Sequence, residues 1–314
     1  MTGARRVAAI DCGTNSIRLL VADHDPGADV LIDVERRMEI VRLGQGVDRT
    51  GRLAPEAIER TRVALAGYAA RCTELGVRRI RMVATSATRD AENREEFRAM
   101  VLATLGAEPE VITGREEAEL SFTGAVRGLA GADPPFLVAD IGGGSTELVL
   151  GADTVEAAHS MDVGCVRLTE RHLRDDPPTA EQVAAAERDI RSALASARDE
   201  VPVEKARTLV GLAGSVTTVA GIALDLDAYD ADLIHLSRIS AADVRRVTAN
   251  LLAATRAERA AIPVMHPGRI DVIGAGALVL RVIVDETGVE DVVVSEHDIL
   301  DGIAWSLLPD EPEA

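Results

Sequence analysis

The sequence predicts an α/β protein built from two domains that repeat one fold, and three observations carry that expectation. The first is a pair of matching stretches, Asp11-Cys12-Gly13-Thr14-Asn15-Ser16-Ile17-Arg18-Leu19-Leu20 and Asp140-Ile141-Gly142-Gly143-Gly144-Ser145-Thr146-Glu147-Leu148-Val149. Placing Asp11 on Asp140 also places Gly13 on Gly142, Ser16 on Ser145 and Leu19 on Leu148. The second is that each stretch is followed by extended runs and then by strand–helix alternation, the pattern of a mixed α/β domain. The third is length, since 314 residues suffice for two domains with cores of their own. The expected domains are 1–128 and 129–297 with a cleft between them, the closing helix over 298–309 packing back on the first.

Taken in order, Val7 to Ile10 and Leu19 to Ala22 are apolar runs joined by a Gly/Ser turn, a hairpin with an acidic residue at its entrance. Val30 to Leu43 is a third extended stretch, broken by Gly44, Gly46 and Gly51. Pro55 stands where a helix begins. Ile58, Leu65, Tyr68, Cys72 and Leu75 then recur at helical spacing until Gly76, which makes Cys72 a core residue. Arg79 to Ala84 reads as a strand, Ala91 to Leu105 as a helix, Glu110 to Ile112 as a short strand and Gly114 to Leu129 as a helix. The turn-rich Gly131 to Pro135 precedes the second hairpin, Phe136 to Ala139 and Leu148 to Leu150, and the domain boundary falls near residues 125 to 135.

In the second half Thr154 to Met161 is the third strand, and Pro177-Pro178 links to an Ala-rich helix from Ala180 to Arg198. Arg207 to Leu212 is a buried-type strand that leads through Ala213-Gly214-Ser215 into a helix. Ser240-x-x-Asp243 starts a helix running to Ala253. Arg269 to Asp285 is a long apolar helix, Glu290 to Val294 the last strand and Asp298 to Leu308 the last helix. The acidic end, Asp310-Glu311-Pro312-Glu313, is expected to fray.

The chemistry of the hairpins is that of a phosphate cradle. Glycines let backbone N–H groups approach an anion, and Ser/Thr hydroxyls add donors. A carboxylate at the entrance would repel bare phosphate, so it makes sense with a metal cation between the two. Composition narrows the partners. Aromatic residues are 2% of the chain, which disfavours base-stacking platforms. A net charge of −18 disfavours nucleic acid and anionic membrane. Lys205 is the one lysine, so phosphate must be gripped by arginine, backbone N–H or metal, and there is no P-loop. Cys12, Cys72 and Cys165 are far apart and odd in number, which indicates neither a disulfide framework nor a zinc site. With no signal peptide and no apolar run of about 18 residues, the protein is expected to be cytoplasmic.

Several blocks together resemble the exopolyphosphatase/guanosine-pentaphosphate phosphohydrolase (Ppx/GppA) family, over nearly the whole chain. They are Asp11-x-Gly13-x-Asn15-Ser16-x-Arg18-Leu19, Ala84-Thr85-Ser86-Ala87-Thr88-Arg89-x-Ala91-x-Asn93 and Thr113-Gly114-x-Glu116-Glu117-Ala118. To these add Asp140-Ile141-Gly142-Gly143-Gly144-Ser145-Thr146-Glu147, Gly164-Cys165-Val166-Arg167-Leu168-Thr169-Glu170, Gly211-x-x-Gly214-Ser215 and Arg269-x-Asp271-Val272-Ile273-x-Ala275-Gly276. The resemblance implies two duplicated ribonuclease H-like domains of the actin/sugar-kinase/Hsp70 superfamily with an inter-domain cleft. The implied activity is hydrolysis of the terminal phosphoanhydride of inorganic polyphosphate, with guanosine pentaphosphate as the alternative substrate.

The site residues follow from the same resemblance. Glu117 is the implied base for the attacking water, with Glu116 as runner-up. Asp140, with Asp11 and Glu147 near it, is the implied ligand set for Mg²⁺ or Mn²⁺. Gly143, Gly144, Ser145 and Thr146 would cradle the scissile phosphate from one lobe, and Asn15, Ser16 and Arg18 from the other. Arg89 would clamp phosphate, Gly214 and Ser215 would hold the distal substrate, and Arg167 and Arg269 are weaker candidates. His235 and His297 show no partner in sequence. Many family members carry further C-terminal domains while this sequence stops at Ala314, and Ser295-Glu296-His297-Asp298 is more acidic than the expected equivalent. A preference for short chains, released one phosphate per encounter, is therefore expected. A homodimer is the expected assembly. Two other classes compete: an ATP-dependent phosphotransferase of the superfamily, disfavoured by the Glu117 block, and a non-catalytic sensor of polyphosphate or alarmones, disfavoured by Glu117, Asp140 and Glu147 together.

Overall fold

The computed structural model describes residues 5–129 and 131–308. The acidic end at 310–313 lies outside them. The chain divides into two compact units, one comprising the residues up to Gly124 together with those from Ile299 onward, the other Ala125–Asp298.

Unit 1 opens with β1 (Arg5–Cys12), β2 (Ser16–Asp25) and β3 (Val30–Ile40), an antiparallel meander. It continues with α1 (Val47–Thr50), α2 (Pro55–Glu74), β4 (Arg79–Ala84), α3 (Ser86–Arg89), α4 (Arg94–Leu105), β5 (Glu110–Val111) and α5 (Gly114–Val126). The sheet order is β3-β2-β1-β4-β5, with β4 parallel to β1 and β5 parallel to β4. Because side chains alternate along a strand, β1 serves two cores. Ala8 and Ile10 pack with Leu65, Tyr68 and Cys72 of α2 and Phe97 and Val101 of α4. Val7 and Ala9 pack with Ile299, Leu300, Ile303, Ala304 and Leu307. The edge strand β3 is largely exposed and carries charges between its apolar residues, which discourages edge-to-edge pairing.

Unit 2 comprises β6 (Phe136–Ile141), β7 (Thr146–Gly151), β8 (Val155–Met161), α6 (Cys165–Arg171), α7 (Ala180–Arg198), β9 (Thr208–Leu212), α8 (Ala213–Ala223), α9 (Ala231–Ile234), β10 (Arg238–Ser240), α10 (Ala241–Ala253), α11 (Arg256–Ala260), α12 (Ile273–Thr287) and β11 (Asp291–Val294). The last helix, α13 (Ile299–Ser306), belongs to unit 1. The unit 2 sheet runs β10-β11-β9-β6-β7-β8. Read from the other side, β8-β7-β6-β9-β11 repeats the order of the unit 1 sheet, and the antiparallel and parallel pairings repeat with it. Only β10 is additional. The core gathers around α12, whose run from Ile273 to Leu280 is buried throughout.

Most differences from expectation lie at element ends and have local causes. The apolar helix predicted from Arg269 begins at Ile273 instead, because the side chain of His266 accepts from Gly268 N at 3.1 Å and closes a separate turn over Pro267–Arg269. It then runs on to Thr287 and stops at Gly288, which has φ +70° and caps the helix in the left-handed region. The helix expected to reach Leu129 ends at Val126. Ser240 does cap α10, its hydroxyl accepting from Asp243 N at 3.0 Å. Among the described residues no helix is long and apolar enough to cross a membrane.

Candidate active site

The two hairpins share a backbone plan and differ in charge. In unit 1 the ladder sets Asp11 opposite Arg18. Arg18 donates to Asp11 Oδ2 from Nε at 3.0 Å and from Nη2 at 2.6 Å, so the chain itself supplies the counter-charge. In unit 2 the equivalent pair is Asp140 and Glu147. Directly opposed residues place their side chains on the same face, with Cβ atoms about 5 Å apart. Both carboxylates are buried, at 7% and 1% exposure, and Ser160 Oγ donates to Glu147 Oε1 at 2.7 Å. The ladder thus holds two carboxylates side by side out of water. Their oxygens suit a hard divalent cation that keeps several waters. Among the described residues no group of three His, Cys, Asp or Glu gathers at one point, so water would have to complete the shell.

The turns are braced by neighbouring segments. In unit 1 the carbonyl of Thr14 accepts from Gly44 N at 2.8 Å, and that of Asn15 from Val41 N and Arg42 N at 3.1 and 2.8 Å. Thr14 Oγ1 and Ser86 Oγ lie 2.9 Å apart, tying the turn to α3, the short helix that ends in Arg89. Asn15 and Ser16 are half-buried in this turn. Gly44 fits closely enough that a Cβ there would stand 2.3 Å from the Thr14 methyl. In unit 2 Gly143 is half-buried, and Gly144, Ser145 and Thr146 are buried. The Thr146 hydroxyl donates to Val163 O at 2.6 Å, which commits its proton to the scaffold.

The start of α5 separates its two adjacent glutamates. Glu116 is exposed and closes a reciprocal cap. Its carboxylate accepts from Thr113 N at 2.8 Å and from Thr113 Oγ1 at 2.9 Å, while Thr113 Oγ1 accepts from Glu116 N at 3.2 Å. The backbone bond from Thr113, followed by its hydroxyl bond, holds the Glu116 carboxyl below its usual range. Glu117 points the other way and is 8% exposed. Arg89 Nη1 donates to Glu117 Oε2 at 3.0 Å and to Ile112 O at 3.1 Å. The arginine expected to clamp phosphate is thus the ion-pair partner of the expected base, a link across 28 positions that no local pattern in the sequence displays.

At the same edge of the unit 2 sheet, where β6 and β9 run parallel and Asp140 stands opposite Leu212, Ala213 has φ +66° at the start of α8. A Cβ on Gly214 would meet the Arg269 guanidinium at 2.1 Å, so Arg269 lies flat on that glycine, and its Nη1 donates to Thr218 Oγ1 at 3.3 Å. Ser215 is buried beside Gly276. Tyr229 OH donates to Glu296 Oε1 at 2.5 Å and meets Thr217 Oγ1 at 2.8 Å; burial, then the Glu296 charge, pushes the phenol up. The acidic segment noted in the sequence therefore reaches this loop through Tyr229. His235 and His297 pair with one another, their ring centroids 4.4 Å apart, and His235 Nδ1 accepts from Glu296 N at 3.2 Å. The cysteine thiols serve packing. All three are buried, and burial raises Cys12 and Cys165 above the ordinary thiol range.

The chain matches the model of the Ppx/GppA phosphatase family over residues 20–311. It is 56% identical over 313 residues to "Exopolyphosphatase 2" of Mycobacterium tuberculosis, an alignment covering 96% of this chain and 98% of that protein. Among solved structures it resembles an exopolyphosphatase-like protein with a TM-score of 0.92 and 44% identity, over 96% of this chain and 100% of that one. It also resembles the Aquifex aeolicus Ppx/GppA family member, with a TM-score of 0.80 and 30% identity over 97% of each chain. The class so defined is a phosphoanhydride hydrolase on two actin-like, ribonuclease H-like domains. This chain belongs to the Ppx/GppA phosphatase family.

Proposed function

We propose that this chain is an exopolyphosphatase that removes the terminal phosphate of inorganic polyphosphate. The observation that carries the substrate is the 56% identity to the mycobacterial exopolyphosphatase across almost the full length of both chains. In this reading Glu117 takes the proton of the attacking water, since it is the buried one of the two adjacent glutamates and Glu116 is occupied by the helix cap. Arg89 keeps the Glu117 carboxylate aimed. The leaving group, a shorter polyphosphate, is a stable anion, so charge neutralisation and a base matter more than a general acid. Gly143, Gly144 and Ser145 offer N–H groups to the phosphate, and Asn15 and Ser16 belong to the matching turn of the other hairpin. Gly214 and Ser215, with Arg269 beside them, are proposed for more distal phosphates. Asp140 and Glu147 are the residues that would hold Mg²⁺ or Mn²⁺, which would supply positive charge against the anhydride oxygens.

The reading is tested by phosphate release from short polyphosphate, long polyphosphate, guanosine pentaphosphate and ATP side by side, with and without Mg²⁺. Polyphosphate is expected to be the best substrate, and release is expected to need the metal. A higher kcat/KM on guanosine pentaphosphate would move the assignment to the nucleotide. ATP consumption that depends on an added acceptor would make the protein a phosphotransferase.

A further inference from the structure

The turn of the second hairpin is held from behind by α6. Cys165 N donates to Gly142 O at 2.9 Å, and Val166 N and Arg167 N donate to Gly143 O at 2.8 and 3.1 Å. Arg167 Nε donates to Gly144 O at 2.7 Å. Three successive carbonyls therefore face one side. In a planar trans peptide the C=O and the next N–H point in opposite directions. Carbonyls of Gly142, Gly143 and Gly144 turned toward α6 thus turn the N–H groups of Gly143, Gly144 and Ser145 away from it. None of these three N–H groups donates to another described residue. Consecutive N–H groups facing one way form a nest that suits an anion. The fit behind the turn is tight, since a Cβ on Gly164 would stand 2.5 Å from the carbonyl of Gly143 and 2.7 Å from Gly144 N.

The parts of this brace differ in what fixes them. The amides of residues 165–167 belong to the first turn of a helix and would be there with almost any side chains. The bond to Gly144 O comes from a side chain. The Arg167 side chain is 12% exposed, and its Nη2 lies 3.9 Å from the exposed carboxylate of Asp162. A guanidinium on the Gly144 carbonyl also polarises that peptide, which strengthens the Ser145 N–H as a donor.

We propose that Arg167 is a positioning residue for phosphate binding. By holding the Gly144 carbonyl it sets the direction of the Ser145 N–H, and with it the far end of the nest. The sequence suggests a weak phosphate clamp at this position, but the guanidinium lies behind the turn and acts on phosphate through the backbone. The proposal rests on the reading of this hairpin as the phosphate cradle.

The test compares wild type, Arg167→Met, Arg167→Lys and Gly144→Ala, the last placing a methyl group on the turn itself. The readouts are KM and kcat for tripolyphosphate, the competitive inhibition constant of inorganic phosphate, and the melting temperature. Arg167→Met is expected to raise KM and the phosphate inhibition constant about tenfold with kcat held, as loss of a charged hydrogen bond used in uniform binding would. Added guanidinium ion is expected to restore both constants. Should Arg167→Met not fold, Arg167→Lys carries the same comparison. Unchanged constants, with or without a lower melting temperature, would overturn the positioning role. If Gly144→Ala raises the constants in that event, the cradle stands and only the role of Arg167 fails. If it too leaves them unchanged, the cradle reading has failed and the proposal with it.

Discussion

Glu116 and Glu117 are neighbours in sequence and face different chemistry because successive positions of a helix point about 100° apart. Glu116 closes the helix cap, while Glu117 is buried against Arg89. Glu117→Gln is therefore expected to lower kcat by 10² or more, the usual size of a general-base effect of about 10²–10⁴. Glu116→Gln should cost about 1 kcal/mol of stability or less and leave kcat in place. Phosphate release and thermal unfolding on both variants decide this; a rate that falls with Glu116 and not with Glu117 would reverse the assignment. The hairpin pairs give a second contrast. Arg18 donates twice to Asp11, while the ladder sets Asp140 opposite Glu147. Glu147→Gln should raise the Mg²⁺ concentration for half-maximal rate by about tenfold, because a neutral amide is a poor ligand for a hard cation. Asp11→Asn should leave that concentration unchanged, and an equal shift from Asp11→Asn would return Asp11 to the metal. The sequence displays Glu117 and the two hairpins through their local motifs. It does not display the Arg89 or Arg18 ion pairs, which arise only when strands pair or loops meet.

At the scale of elements, the strands with short apolar runs bounded by glycine or proline are the most legible part of the chain, while β10 (Arg238–Ser240) carries no such signal. The helix α6 carries no helical signal in the sequence. It has seven residues and is anchored by the hairpin turn it supports rather than by an apolar stripe of its own. The start of α12 is hidden for a related reason, a histidine side chain acting as a turn cap. The helix α13 belongs to unit 1, and its packing adds a constraint the sequence hides. A Cβ on Gly302 would stand 2.0 Å from Leu120 O, which is backbone of α5 and cannot swing aside. Gly302→Ala is therefore expected to destabilise the protein by about 1–3 kcal/mol, as overpacking against fixed atoms does. Urea unfolding measures it, and a midpoint equal to wild type would show that α13 shifts freely on the sheet. Ile303→Ala, by contrast, removes a buried side chain beside Val7 and Ala9 and should cost about 2–5 kcal/mol.

At the scale of the whole molecule the governing quantity is charge. Acidic residues number 52 and basic residues 34, for a net charge of −18. Many of the arginines are already used in ion pairs, such as Arg6 with Asp23, Arg36 with Asp301 and Arg281 with Glu187. In the proposed site, a phosphate seated among backbone N–H groups and a metal would feel a locally positive field, because opposing surface charges are screened beyond about 8 Å at physiological salt. A long polyphosphate must also approach across the rest of the surface, and there the mean field is repulsive. Short chains should therefore be preferred, with one phosphate released per encounter. The ratio of kcat/KM on long chains to that on short ones should rise as salt is increased from about 0.01 M to 0.1 M, over which the Debye length falls from about 30 Å to 10 Å. A gel time course on long polyphosphate at the two ionic strengths, beside phosphate release from a short oligomer, makes the comparison. Full-length chains that persist while free phosphate accumulates would show processive action. Long-chain activity that falls steeply with salt would show a basic track along the surface. Either result would contradict an enzyme whose encounter with its substrate is opposed by its own charge.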